Sequence, residues 1–539
     1  MMFKKLSLFG IGILLLFVLV ACGGNEVEDT GQETGNGNGN QEETTDAPND
    51  NVEAGTVNTD RVLNVAMPAF PQSLDPTAIN EVQSSLINTH IYETLVTRTF
   101  DMEIEPGLAT SWERIDDYTV EFILREGVYF HNGSPFTADD VAFSLARSQS
   151  DSIASAIMGV IDPDGFEIID DHTIRISTIE PFSPLVPFLG HNTAFIISRE
   201  AAEYHGDDFA DHPVGTGPFR FESQVHGDSI TLVRNEDYHG DLPQIAGINF
   251  RVIPEPAQRL IGLETGELDL SFDIAQADAA RVQGHDDLIL HSRVNNQVRY
   301  ISLNVEREPF DDVRVRQAFN YAIDTELLIE TILEGFGEPS QGPIAGGMRL
   351  ASTDVTLPTY NLERARALMA EAGHEDGFAI TMNVHNSVNQ NIALAVGAML
   401  AEINVDVEVI LLESAAHFEV VDSGNFDTFI LQFNPGTGDE DNMFTPMFHS
   451  SNAVANGGTT NRNSFVNADV DALIEAARVE FDDAARAALY HDLQVLLIEE
   501  SPWVFLDAGV FLHASRANVH GYTVRLNGQQ TLRYVYIVE

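Results

Sequence analysis

The sequence predicts a mixed α/β protein built from two or more domains, and three observations lead there. After residue 60 short β-forming runs alternate with stretches of helical spacing, and no repeat of about 20–50 residues appears. Apolar residues make up 44% of the 539, enough to build a core over roughly 480 folded positions. Cys22 is the only cysteine, so intrachain disulfides are excluded and stability has to come from burial.

The chain opens with Lys4 and Lys5 before an apolar run from Leu6 to Val20, which ends in Leu19-Val-Ala-Cys22. A charged start, a short apolar stretch and small residues before a cleavage point make a secretory leader over residues 1–21. The run is shorter than the about 20 residues a spanning helix needs. Leu-Val-Ala-Cys resembles the bacterial lipobox, which implies cleavage before Cys22 and diacylglycerol on its thiol. Residues 22–60 are then expected to form a lipidated, disordered acidic tether. Gly, Asn, Glu, Asp and Thr dominate there, and too little apolar surface exists to offset chain entropy. A flexible chain of this length reaches roughly 35 Å. Two or three acyl chains anchor it stably, where one would hold only marginally.

Lysine and arginine total 28 against 83 aspartate and glutamate, a formal net charge of −55. Lys4 and Lys5 are the only lysines, so every fixed cation beyond the leader is an arginine. Nucleic acid and bare anionic membrane both repel such a body. The composition matches high salt, which screens self-repulsion, or high external pH, because lysine discharges near about pH 10 and arginine does not.

Arg61 to Met67 reads as the first strand, and Tyr118 to Leu124 alternates with period two, as a half-buried strand should. His131 to Pro135 is a turn. Thr137 reads as an N-cap with Asp140 three residues on, and Val141, Phe143 and Leu145 continue the helix. Val470–Ala477 and Arg486–Glu499 carry helical spacing, while Val504–Leu506 and Tyr534–Val538 look like strands. Gly215-Thr-Gly217 is followed at once by Pro218 and lacks the G-K-S/T of a phosphate loop, so it is a tight turn.

Ser73-Leu-Asp-Pro76, Ile91-Tyr-Glu-Thr-Leu-Val96, Pro106-Gly-Leu-Ala109, Ser111-Trp-Glu113 and Leu124-Arg-Glu-Gly-Val128 stand in order along the chain. Phe130-His-Asn-Gly-Ser-Pro-Phe-Thr-Ala-Asp-Asp-Val141 and Pro213-Val-Gly-Thr-Gly-Pro-Phe219 follow. Pro309 to Ala318, Tyr321-Ala-Ile-Asp324 and Asn361 to Leu368 complete the set. Together, from about residue 62 onward, they resemble the family 5 extracellular solute-binding proteins, the peptide, nickel and glutathione receptors of ABC importers. The resemblance implies a two-lobed periplasmic-binding-protein-like α/β fold with an enlarged first lobe and a hinge between lobes. Lobe I is expected over residues 61–297 and again over 505–539, with lobe II over 298–504. Arg314 and Arg316 belong to a packed helix rather than to a ligand site.

The resemblance places ligand recognition in Phe433-Asn-Pro-Gly-Thr-Gly-Asp-Glu-Asp-Asn442. Peptide receptors of the family carry an aspartate that meets the ligand's α-ammonium, and Gly436 stands at that place. The expected replacement is Asp439 or Asp441, with helix capping as the competing role. Candidate ligand-binding residues are Glu81, Arg349, Phe433, Asn434, Gly436, Thr437 and Asp439. Phe433 serves as apolar wall, Asp439 as amine partner and Arg349 as bidentate carboxylate partner. Cys22 is the lipidation site.

Scattered histidines give no metal-ligand spacing, and no G-x-S-x-G elbow appears. No catalytic residue, metal or cofactor is expected. The partners implied are a short peptide or glutathione-like ligand, the permease subunits of an ABC importer and the membrane through the lipid, for a monomer on the extracytoplasmic face. Competing readings are a lipid-anchored hydrolase on the same scaffold, or a nickel, haem or peptide-signal receptor.

Overall fold

A computed structural model describes residues 56–77, 81–150, 154–352 and 354–539. The leader, Cys22 and residues 22–55 of the expected tether lie outside the described residues. Residues 56–58 are not tether. Val57 bridges Val538, the Asn58 N–H donates to the Ile537 carbonyl (3.0 Å), and Glu539 donates to Thr56 (3.2 Å). The folded body therefore begins before residue 60.

Among the described residues, fifteen strands make up the two larger sheets. In chain order they are β1 (Val62–Met67), β2 (Ala109–Arg114), β3 (Thr119–Leu124), β4 (Ile161–Asp170), β5 (Thr173–Thr178), β6 (Phe219–Val225), β7 (Ser229–Arg234) and β8 (Gly247–Val252). Then come β9 (Leu270–Ser271), β10 (Leu288–Leu303), β11 (Glu338–Pro339), β12 (Phe378–Val384), β13 (Val405–Leu411), β14 (Thr428–Phe433) and β15 (Trp503–Arg516). One sheet of eleven strands runs β13-β12-β14-β10-β15-β9-β1-β8-β7-β6, with β11 paired off the path to β15. A separate sheet runs β2-β3-β5-β4.

The two lobes share the large sheet through its two longest strands. β10 and β15 pair antiparallel from Leu288 opposite Arg516 to Ser302 opposite Trp503. At one end Leu288, Leu512 and Ala514 enter a core with Leu260 and Leu263. At the other, Val298, Tyr300, Phe505 and Trp503 enter a core with Phe444, Tyr490 and Leu497. The ladder breaks between Val294 and Val298 and again between Arg299 and Tyr300. A bulge at this point bends the strand and loosens pairing between the lobes.

The helices used below are α1 (Val82–Ile91), α2 (Ala138–Ser150), α3 (Val313–Ala322), α4 (Asp441–Phe448), α5 (Ala468–Val479) and α6 (Asp483–Glu500). α2 starts as its sequence implies. The Asp140 carboxylate accepts from the Thr137 N–H (3.0 Å) and hydroxyl (3.2 Å), which closes a capping interaction at its first turn. Arg316 on α3 is buried and donates to the carbonyls of Glu500 and Phe310, while Arg314 pairs with Asp312, so both arginines are structural.

The 215–217 turn packs by close approach. A Cβ on Gly215 would sit 2.1 Å from the Ile91 carbonyl oxygen, and one on Gly217 would sit 2.6 Å from that of His90. Only glycine lets this loop lie on the end of α1. The C-terminal strand is shorter than expected, with Tyr536–Ile537 pairing to Val519–His520.

Candidate ligand cleft

A cavity of about 620 Å³ opens where the two lobes meet. One wall comes from α1 with its N-cap Glu81, from His191 and Asn192, and from Phe272 and Asp273 just after β9. The facing wall is the turn after β14 (Phe433, Asn434, Gly436) and the first residues of α4 (Asp441, Asn442). Phe511 of β15 and residues 527–530 close its side. The size falls within the about 300–1,000 Å³ usual for small-molecule sites.

Direct bonds already hold the lobes together around it. Arg98 donates to the carbonyls of Gly190 (2.7 Å) and Pro187 (2.5 Å) and also to that of Thr437. Ser183 donates its N–H to the Arg478 carbonyl at 2.8 Å. Asn434 donates to the Asn527 carbonyl at 3.1 Å. These bonds bridge the two walls of the cleft.

Three carboxylates and one guanidinium supply its charge: Glu81, Asp273, Asp441 and Arg478. Glu81 caps α1, accepting from Gln83 N (3.1 Å), Ser84 N (2.9 Å) and the Ser84 hydroxyl (2.8 Å). Asp441 accepts from the Thr445 hydroxyl at 2.6 Å and lies 3.4 Å from Arg478. Burial pushes the Asp441 pKa up, and Arg478 opposes the rise.

Asp273 differs from the other two. Its backbone is left-handed, φ 55°, a region aspartate tolerates better than most residues. Among the described residues no hydrogen bond or ion pair reaches its carboxylate, whereas its backbone carbonyl accepts from Arg259 at 2.6 Å. The carboxylate is open to cleft water yet surrounded by protein, and that enclosure raises its pKa while Arg259 opposes. It is a free acceptor aimed at whatever fills the cavity.

The cleft histidines carry no charge near neutrality. Burial, with help from Arg98, takes His191 down to about 3, and burial with His291 takes His513 to about 3. Both imidazoles therefore serve as neutral hydrogen-bonding and stacking groups. Among the described residues no group of three or more His, Cys, Asp or Glu could hold a metal ion.

Comparison with known proteins agrees with this geometry. Residues 103–455 match the family model described as bacterial extracellular solute-binding proteins, family 5 Middle. The chain belongs to that family. The glutathione-binding protein GsiB of Salmonella typhimurium (strain LT2) is 30% identical over 462 residues, covering 84% of this chain and 90% of the relative. GsiB of Pectobacterium atrosepticum is 31% identical over 466 residues, covering 84% and 89%. The periplasmic binding protein DppA of Helicobacter pylori, solved with the peptide STSA, has a TM-score of 0.77 at 27% identity, covering 89% of this chain and 98% of that one. CtaP of Listeria monocytogenes shares the fold, with a TM-score of 0.80 at 21% identity over 89% and 100%.

The structure brings together Glu81, Phe433, Asn434 and Gly436 on the cleft wall. It does not bring the other three expected residues there. Arg349 lies off the cavity lining, where its guanidinium reaches Asp483 at 2.5 Å. Asp439 is buried off the cleft lining and holds Arg486 bidentately at 2.7 Å on each oxygen, so its charge is already neutralised inside the protein. Its Oδ1 also accepts the Asp441 N–H at 2.9 Å, which makes it the capping group of α4. Thr437 is fully buried, with its hydroxyl accepting from Asp439 N (3.3 Å) and its carbonyl used by Arg98.

Gly436 owes its small size to His191, because a Cβ there would come within 2.8 Å of Nε2. Asp273 and Arg478 were missed by sequence reasoning. Arg478 reads as an ordinary basic residue in the last turn of α5. Nothing around Asp273 signals that its strand ends on a cavity.

Proposed function

We propose that this chain is the extracytoplasmic substrate receptor of an ABC importer, that it encloses a short peptide between its lobes, and that closure presents it to the membrane permease. The observation supporting this reading is the interlobe cavity with the unpartnered Asp273 carboxylate on one wall and Arg478 on the other. A zwitterionic peptide presents an ammonium and a carboxylate at opposite ends, and these two groups complement it. Phe433 and Phe511 give the apolar walls that side chains need. Three carboxylates against one arginine favour a ligand with a single carboxylate over the two of a glutathione-like molecule. The protein acts without catalysis, as a monomer, and Cys22 carries the lipid that keeps it at the membrane. Among the described residues no helix is long and apolar enough to cross a membrane.

Calorimetry with di-, tri- and tetrapeptides beside glutathione tests this. Zwitterionic peptides are expected to bind, and Asp273→Asn to weaken them at least about tenfold, equivalent to 1.4 kcal/mol. Affinity is also expected to fall as acid protonates Asp273, beginning above the ordinary carboxylate range because its pKa is raised, and the variant should lose that dependence. Equal affinity in the variant removes Asp273 from the site. Failure of every peptide to bind overturns the peptide reading, and cleaved products by mass spectrometry would support the hydrolase instead.

A further inference from the structure

A second cavity, of about 250 Å³, lies beside the cleft, with Gln529 lining both. Four arginines line it, Arg98, Arg125, Arg525 and Arg533, in a chain where acidic residues outnumber basic ones by 83 to 28. Clustering like charges costs free energy unless something compensates them. Two of the four are compensated by backbone. Arg98 donates to three carbonyls, and Arg125 donates from Nε and Nη2 to the Gly107 carbonyl at 3.3 Å each.

Arg525 and Arg533 have no such partners. Among the described residues neither guanidinium makes a hydrogen bond or an ion pair, and both Nε atoms are buried without an acceptor. Aromatic rings hold them instead. Arg525 stacks 5.2 Å from the Phe100 ring centre, and Arg533 lies 4.8 Å from Tyr238 and 5.3 Å from Tyr534. Rings fix the orientation of a guanidinium and leave its N–H edge to face the cavity.

The cavity's carboxylates do not answer this charge. Glu93 is taken by the Tyr238 hydroxyl (2.8 Å), His239 Nε2 (2.9 Å) and the Thr216 hydroxyl (2.9 Å). Glu105 is exposed and attracts Arg525 without a hydrogen bond to it. Burial and the neighbouring Arg525 bring Arg98 down to about 10, a sign of mutual repulsion between the guanidiniums.

We propose that this pocket binds a small multivalent oxyanion (phosphate, sulfate or a tricarboxylate) on the free edges of Arg525 and Arg533. The shared chemistry is planar N–H donors matched to oxyanion pairs. The volume is below the range of peptide-sized sites, which restricts the occupant to a small ion. Residues 527–530 line the cleft and continue into this segment, so a bound anion would also fix one cleft wall.

The test is calorimetry of the mature chain with inorganic phosphate, sulfate and citrate in turn, at constant ionic strength made up with chloride. At least one is expected to saturate a single site below about 10 mM and to raise Tm by about 2 °C or more at that concentration. The variant Arg525→Gln/Arg533→Gln is expected to bind at least about tenfold more weakly; if it does not fold, Arg533→Gln alone serves. Absence of saturable binding by all three anions overturns the proposal, as does unchanged affinity in a folded variant. Peptide titrations on the same samples separate this result from failure of the cleft reading.

Discussion

Arg486 and Asp439 form the most enclosed ion pair among the described residues, with side chains 2% and 0% exposed. The Arg486 guanidinium also donates to the Ala477 carbonyl (2.9 Å) and the Tyr490 hydroxyl (2.7 Å). Burial by itself lowers an arginine pKa, but attraction and hydrogen bonds from Asp439 more than reverse this, and the Arg486 pKa is raised. The pair ties α6 to the turn that carries Gly436. Removing one partner leaves a bare buried charge, which typically costs about 3–5 kcal/mol. Arg486→Met should lower the urea midpoint by that much stability, while Arg486→Met/Asp439→Leu should recover most of it. Equal stability of the single variant and wild type would show that the pair contributes little. At this scale the sequence was a poor guide. A carboxylate in a ligand-rich segment reads the same whether it faces the ligand or an arginine contributed by a helix 47 positions later.

Elements were more legible, because their signals are local. The capping of α2, the alternation of β3 and the spacing of α5 and α6 all depend on neighbours within a few residues. His90, in the last turn of α1, shows what local reading leaves out. Its Nδ1 donates to the Leu86 carbonyl at 2.9 Å, and its Nε2 accepts the Leu532 N–H at 3.0 Å. That fixes the neutral tautomer and joins α1 to the C-terminal segment. Burial brings its pKa down to about 4, as it brings His191 and His513 to about 3.

The folded pKa values lie below the ordinary value of 6.5. The stability these groups contribute is therefore present above about pH 6.5 and is lost as pH falls toward 3–4. Glu440 works the other way. Burial, then Asp439, pushes it up to about 7, so its contribution is present below the ordinary 4.5 and is lost as pH rises through 7. Burial also lowers His131, His291, His385 and His417 and raises Asp140, Asp273, Asp441 and Asp507, so seven imidazoles stand against five carboxylates and the balance favours loss of stability in acid. Thermal unfolding should show Tm dropping from pH 6.5 to pH 4.5. A flat or rising profile over that window would contradict the burial of these histidines. Glu440→Gln should steepen the drop by removing the opposing contribution.

For the whole molecule, closure and charge are the governing quantities. Lobes joined by β10 and β15 can hinge where the ladder breaks near residues 295–297, and an enclosed ligand favours the closed state because only there does it touch both walls. Small-angle scattering should show a smaller radius of gyration when a peptide of established affinity is added, and no change would count against hinging. With a net charge of −55, raising salt from about 0.01 M to 1 M shortens the screening length from about 30 Å to 3 Å. Tm should rise across that range through relief of self-repulsion. Cys22→Ser should release the protein from the membrane fraction or leave its leader attached, and unchanged fractionation with no lipid mass on the N-terminal peptide would exclude the anchor.

The sequence by itself determined the α/β class, the family with its two-lobed fold, and the acidic, lysine-free body. Each rests on composition or on residues close together in the chain, so no knowledge of folding is needed to read them. Only the tertiary structure decided which charges meet. Asp273 and Arg478 are 205 positions apart and line one cavity, whereas Arg349 and Asp439, drawn from the expected loops, are each neutralised by a partner on α6. An ionisable side chain goes wherever a long-range counter-charge or enclosed water best compensates it. That choice is made by packing between elements far apart in the chain, within a lobe as well as between lobes, and no local pattern in the sequence records it.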